Sequence, residues 1–469
     1  MKTWPLKFRE LADQHMVMAD DAGGYFVAQR DFVERYALGR LSADDAAFLQ
    51  EKGHSFQEEG DLAHTAFLSR WSQRQYVGGG PAYVILIPTL RCDLKCSYCQ
   101  VSRAPLAAKG FDWSDQTLEQ TLDFLDRLPG DEIQIEFQGG EPFLRIDHLK
   151  AVTNFARQRF HKVHFVVCTN LQTLNEEILE FIRSDDVLIS TSLDGPHRVH
   201  TQNRTDSAEL TDEFHRNLAH VIELAGPDRV SALPTIDITD PPAALDLIES
   251  YEQFGFKSLY LRPVNYQGFA RKSHPAARAS ESWSAYYRAF IDTLIARTAR
   301  TGSVMEEFYL THCLRRILGA GADNHTDLRN PNVPTGANAV VDFNGLVYPS
   351  DEARMLARIR QVDLSIGSVA DGLDQEKLAL LAPGHINNFD PDCIHCPYQS
   401  FCGTDPIDDL SRSGRIDIPR GESWFCQRHL AVFDLAFELL YSADPEVQYT
   451  LSRWLGLETI PDALRPVAP

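Results

Sequence analysis

The segment AYVILIPTLRCDLKCSYC, residues 82–99, joins two unlike signals. Its first half is a short apolar run rich in β-branched and aromatic residues, which reads as a buried strand. Its second half places Cys92, Cys96 and Cys99 at C-x3-C-x2-C spacing directly after that strand. A structural zinc site closes on four protein ligands, and an iron–sulfur cube takes four thiolates. Three sulfurs with no fourth nearby leave a coordination position open for something else, and that something is usually a reactant.

Outward from this stretch, residues 81 to about 265 repeat one alternation. The apolar runs AYVILIPT, EIQIEF, HFVVCTN, VLISTSLDG, VSALPTID and SLYLRPVN read as strands. Between them SDQTLEQTLDFLDRL, LKAVTNFARQRF, NEEILEFIR, DEFHRNLAHVIELAG and ALDLIESYEQFG carry helical periodicity. Strand then helix, about six times, predicts an α/β fold with a parallel sheet or partial barrel. Chemistry in such folds gathers at the carboxyl ends of the strands. The suggestive residues fall there. QGGEPF follows the second strand; Gly139 and Gly140 lack side chains, so their backbone can approach a ligand closely, and Glu141 offers a carboxylate to an ammonium group. Thr169 and Asn170 end the third strand, Ser192 and Asp194 the fourth, and Arg204 follows. Hydroxyl, amide, carboxylate and guanidinium groups there could hold a ribose and an amino-acid carboxylate, or could serve only as turns and caps.

Composition bounds the rest. The 469 residues suffice for roughly two to four domains. With 43% hydrophobic and 24% charged residues the chain suits a globular enzyme with a large core. No apolar run approaches the ~20 residues needed to cross a bilayer, so no membrane role is expected. A formal charge of −21 repels phosphate backbones and argues against nucleic acid as a partner. Nine cysteines, an odd number, and a charged opening segment MKTWPLKFRELADQHMV argue against disulfides and a signal peptide, hence for a reduced, cytoplasmic protein.

The cysteine triplet with Tyr98 before its last member, then GGEP, then the serine-bearing fourth strand, resembles the radical S-adenosylmethionine (SAM) superfamily. The resemblance implies a partial (β/α)6 barrel, TIM-like, holding a [4Fe-4S] cluster on Cys92, Cys96 and Cys99. It implies that the open iron chelates S-adenosyl-L-methionine, which is cleaved reductively to a 5′-deoxyadenosyl radical. Gly139, Gly140 and Glu141 would hold the methionine amine and Ser192 the ribose, with Val264 and Asn265 near the adenine. An external electron donor such as flavodoxin or ferredoxin is implied as well.

A second group, DCIHCPYQSFCGTDP followed by SWFCQ, spaces Cys393, Cys396, Cys402 and Cys426 as a closed set of four for zinc or a cluster, and spacing alone does not choose. AVVDFNGLVYPSDEAR before it reads as a hairpin around Asn344 and Gly345. Hairpin plus cysteine-rich tail resembles the SPASM extension of peptide-modifying radical enzymes, which carries two auxiliary clusters. Here Ser350 and Pro406 replace expected cysteines. The losses strip one cluster and leave the other, so one auxiliary [4Fe-4S] cluster is implied. Asp351, after the hairpin, matches the proposed catalytic base of sulfatase-oxidising SPASM enzymes, or is a turn residue. Cys168 and Cys313 read as small core residues.

The first 80 residues offer a hairpin across Gly23 and Gly24, then helices RDFVERYAL and ADDAAFLQEKG, the latter capped by Ser42. This small α+β unit resembles the winged-helix, leader-binding domains of peptide maturases, which can add a peptide as a strand, or is an inert cap on the barrel. The domain expectation is therefore 1–80 leader recognition, 81–270 barrel, 271–335 helical linker, 336–435 auxiliary-cluster domain and 436–469 helical tail. Over most of its length the chain resembles the B-type maturase of the His-Xaa-Ser peptide system, HxsB. That subgroup implies a ribosomal precursor peptide as substrate, with a companion radical enzyme and small accessory proteins. Oxidative crosslinking is the leading reaction; side-chain oxidation to an aldehyde and a non-catalytic metal scaffold are the alternatives.

Overall fold

The computed structural model describes residues 1–11, 15–75, 82–274, 280–319, 325–332 and 338–469. The domain boundaries expected at 80/81 and 335/336 lie outside the described residues. That expected at 435/436 falls inside a continuous helix, Trp424–Tyr441.

The N-terminal unit opens with an antiparallel three-stranded sheet, β1 (Lys7–Glu10), β2 (Met16–Ala19) and β3 (Tyr25–Ala28). The β2–β3 turn is the Gly23–Gly24 pair, and Gly23 sits at φ +76°, which a side chain rarely adopts. Helices α1 (Arg30–Ala37), α2 (Ala43–Glu51) and α3 (Leu62–Arg74) follow, and Ser42 forms a full capping box with Asp45 at the start of α2. Backbone bonds from Val27 N–H to Pro466 and from Ala468 N–H to Val27 bring the 466–468 segment onto the outer edge of β3.

The barrel strands β4 (Tyr83–Leu86), β5 (Glu132–Phe137), β6 (Lys162–Cys168), β7 (Val187–Ser192) and β8 (Val230–Leu233) pair in parallel and in chain order. Helices α4 (Asp115–Asp126), α5 (Ile146–Arg159), α6 (Glu176–Ile182) and α7 (Ala208–Ala225) cross between them. Each strand turns alternate side chains toward this helical layer; Ile133, Ile135 and Phe137 of β5 are at most 3% exposed there. The last strands are short. Pro234 separates β8 from Thr235–Ile236, which pairs in parallel with Arg262–Pro263. A proline cannot donate to the ladder, which limits both segments.

At the other edge, β4 pairs in parallel with β9 (Asn338–Val341), a strand of the C-terminal region. The hairpin expected around Asn344–Gly345 forms between β9 and β10 (Leu346–Tyr348), with Gly345 at φ +79°. With the short antiparallel strands Gly367–Ser368 and Gly372–Leu373 beyond β10, the sheet reaches nine strands, mixed rather than purely parallel. The longer helices of the C-terminal part are α8 (Ser280–Thr301), α9 (Phe308–Leu318), α10 (Asp351–Arg358), α11 (Pro406–Ser413), α12 (Trp424–Tyr441) and α13 (Pro445–Trp454). One apolar core runs from the barrel strands through α8 and α9 into α12 and α13.

Candidate cofactor and cluster sites

The cysteine loop leaves β4 and is tied down by neighbours on three sides. Ser97 N–H donates to the Asn203 carbonyl at 2.8 Å, and Phe269 N–H donates to that of Cys99 at 3.0 Å. Asn170 Nδ2 lies 3.7 Å from Cys92 Sγ. Gly268 permits this approach: a Cβ there would stand 2.1 Å from the Gln100 carbonyl. Cys92, Cys96 and Cys99 are all partly exposed.

The GGEP turn is tied to the segment that precedes the cysteines: Gly140 N–H donates to the Thr89 carbonyl at 3.0 Å and Glu141 N–H to that of Arg91 at 2.8 Å. A Cβ on Gly139 would meet Thr89 O at 2.2 Å, and one on Gly140 would meet Arg91 O at 2.1 Å. These glycines are required because the turn is zipped to the strand that feeds the cysteine loop. The Glu141 carboxylate is 3% exposed and accepts from Phe143 N–H (3.1 Å), Thr169 Oγ1 (2.9 Å) and Asn170 N–H (2.8 Å). Burial pushes its carboxyl up to about 7 against the pull of those donors.

Asp194 is likewise internal. Fully buried, it accepts from Tyr98 OH at 2.6 Å and Thr235 N–H at 3.2 Å. Arg204 Nη1 in turn donates to Tyr98 OH at 2.7 Å. The chain Arg204–Tyr98–Asp194 anchors the loop tyrosine. Val264, 2% exposed, packs with Tyr98, Ala270 and Cys96, so the structure brings it to the loop. Ser192 and Asn265 are partly exposed at their strand ends.

Other interior residues escaped the sequence reading. Tyr83, Glu136, Gln138 and Cys168 meet on the face of β4–β6 away from the helices: Tyr83 and Gln138 donate to Glu136, and the Cys168 thiol lies 3.1 Å from Glu136 Oε1. Cys168 is thus no simple core filler, and the Glu136 carboxylate adds to burial in pushing its thiol upward. The signal was present in the alternation of EIQIEFQ, whose polar positions 134, 136 and 138 share one face. Asp351 reaches the same region, its charge felt at Tyr83. Its Oδ1 accepts from Arg354 Nε at 2.9 Å, and Arg354 is fully buried.

In the tail, Cys393, Cys396, Cys402 and Cys426 all line one cavity of about 270 Å³. Among the described residues no three His, Cys, Asp or Glu donors converge tightly enough for a single metal ion. Four cysteines around one cavity form a closed ligand set, for zinc or for a cluster. His395 lines the cavity's exposed side. Where cysteines were expected, Ser350 caps α10 through its bond from Ala353 N–H, and Pro406 starts α11.

Residues 86–248 match the model of the radical SAM superfamily. A cysteine-type anaerobic sulfatase-maturating enzyme of Clostridium novyi (strain NT) is 25% identical over 274 residues, which span 55% of this chain and 70% of the relative. A protein of Methanocaldococcus jannaschii is 29% identical over 118 residues, so the chain spans only 40% of that relative. The solved structure of native anSMEcpe with bound AdoMet and Cp18Cys peptide superimposes with a TM-score of 0.61 at 17% identity, covering 80% of this chain and 99% of that one. The superposition establishes a shared fold.

Proposed function

We propose that this chain, a member of the radical SAM superfamily by the match over residues 86–248, modifies a ribosomally made precursor peptide by oxidative crosslinking at an unactivated carbon, with the His-Xaa-Ser repeat peptide as its substrate class. The observation that carries the reading is the pairing of two unlike cysteine sets, three at a strand end and four around a tail cavity. Cys92, Cys96 and Cys99 would hold a cluster with an open iron, which supplies one-electron cleavage of bound S-adenosylmethionine. The chain's own residues do the rest. Tyr98, pinned between Arg204 and Asp194, fixes the loop; Glu141 fixes the glycine turn to β6; Glu136, Tyr83 and Cys168 offer polar contacts to a substrate in the interior. The four tail cysteines would hold an auxiliary cluster suited to removing an electron during oxidation.

Oxidation of a side chain to an aldehyde is the second reading. It is favoured by the sulfatase-maturase relative and by Asp351, one oxygen of which is committed to Arg354. Anaerobic incubation of the reconstituted enzyme with a His-Xaa-Ser peptide, followed by fragmentation mass spectrometry, tests both. A two-hydrogen loss that resists hydrazide trapping supports the crosslink, and a trapped product supports the aldehyde. An unaltered peptide alongside active deoxyadenosine production refutes the substrate assignment.

A further inference from the structure

We propose that strand β1 of the N-terminal unit forms a wall of the tail cluster site, and that the Arg9–Asp434 pair sets the charge felt by the cluster bound there. The inference rests on the reading of the four tail cysteines as cluster ligands. Phe8 and Arg9 line the same cavity as those cysteines, although more than 380 residues separate them in the chain. Arg9 is held in place by a two-pronged bond to Asp434 on α12, Nε to Oδ1 at 2.7 Å and Nη2 to Oδ2 at 2.8 Å. Asp434 also accepts from Tyr398 OH at 2.7 Å, two residues beyond Cys396. Lys7, on the same face of β1, reaches Gln399 Oε1 at 2.6 Å. Strand and cysteine loop are thereby bolted together, and Arg9 and Cys396 lie close enough to feel each other's charge.

A cluster on four thiolates is anionic and gains a further negative charge on reduction, so nearby charge is one determinant of its potential. Removing the cation should disfavour the reduced form, because the Asp434 charge is then no longer offset. Removing the anion should do the opposite. The test uses the full chain carrying Cys92→Ala, Cys96→Ala and Cys99→Ala, so that the tail site alone holds iron. After anaerobic reconstitution, metal content is measured and the midpoint potential is followed by electron paramagnetic resonance. Arg9→Gln is expected to lower the potential, Asp434→Asn to raise it, and the double variant to return near the parent value. A role confined to packing would not give opposite signs. Iron-loaded variants with unshifted potentials, or with shifts in the same direction, overturn the inference while leaving the cluster reading intact. Zinc without iron in the parent overturns the cluster reading, and this inference with it. Should Arg9→Gln fail to hold iron, Asp434→Asn decides alone: a rise supports the charge assignment, and an unchanged or lower value overturns it.

Discussion

Glu141 makes the stability of the fold depend on pH in a direction opposite to that of an ordinary paired carboxylate. Its carboxyl ionises near 7 in the folded chain, against 4.5 for an unperturbed glutamate, and burial is the main cause. Between those values the folded state binds a proton that the unfolded state has released. Stability from this group is therefore fully present below pH 4.5 and is lost as pH rises toward 7. Each pH unit in the window is worth about 1.4 kcal/mol, so the window carries about 3 kcal/mol. Glu141→Gln removes the titration while keeping the shape. It also turns one amide N–H toward the Asn170 N–H, a mismatch costing about 1–2 kcal/mol at every pH. Urea unfolding of the wild type and the variant at intervals from pH 4.5 to 8 gives the difference directly. The wild type should lose its advantage progressively, with the gap narrowing by about 3 kcal/mol. Parallel pH profiles would refute the assignment of the elevated carboxyl to Glu141.

Three further outcomes are expected. Replacing Cys92, Cys96 and Cys99 together by alanine should leave about four irons, in a cluster indifferent to S-adenosylmethionine, against about eight in the wild type; iron analysis and spin spectra decide. Gly139→Ala, which drives a Cβ to 2.2 Å from a backbone oxygen at φ +133°, should cost more than about 2 kcal/mol and loosen the cysteine loop, read as faster amide exchange across residues 89–99. Arg74→Met should cost about 2–4 kcal/mol in thermal or urea unfolding, because the buried guanidinium donates to the Arg316 and Ile317 carbonyls and caps the last turn of α9.

The strand–helix alternation and both cysteine sets were legible in the sequence because period-2 and period-3.6 apolar patterns are local, as are C-x3-C and C-x2-C spacings. The hairpin at Asn344–Gly345 was legible for the same reason. The roles of Glu141 and Asp194 were not. Each stands at a strand end, and only the tertiary approach of Asn170, Thr169 or Tyr98 shows which neighbours donate to it. Glu136 was hidden inside a strand read for its apolar half. The placing of Phe8 and Arg9 at the tail cavity depends on contacts across nearly the whole chain, which no local pattern records.

The seating of β9 against β4 bears on how the protein comes off the ribosome. The first barrel strand is synthesised early, yet one of its two pairing partners begins at residue 338. Until that segment emerges, an apolar strand edge stands open, and such edges template association between chains. Long-range parallel pairing is also slow to form, which prolongs the exposure. The nascent barrel is therefore a natural client for chaperones that shield strand edges. Synthesis halted anywhere between the barrel and residue 338 should yield aggregates rather than a smaller soluble domain.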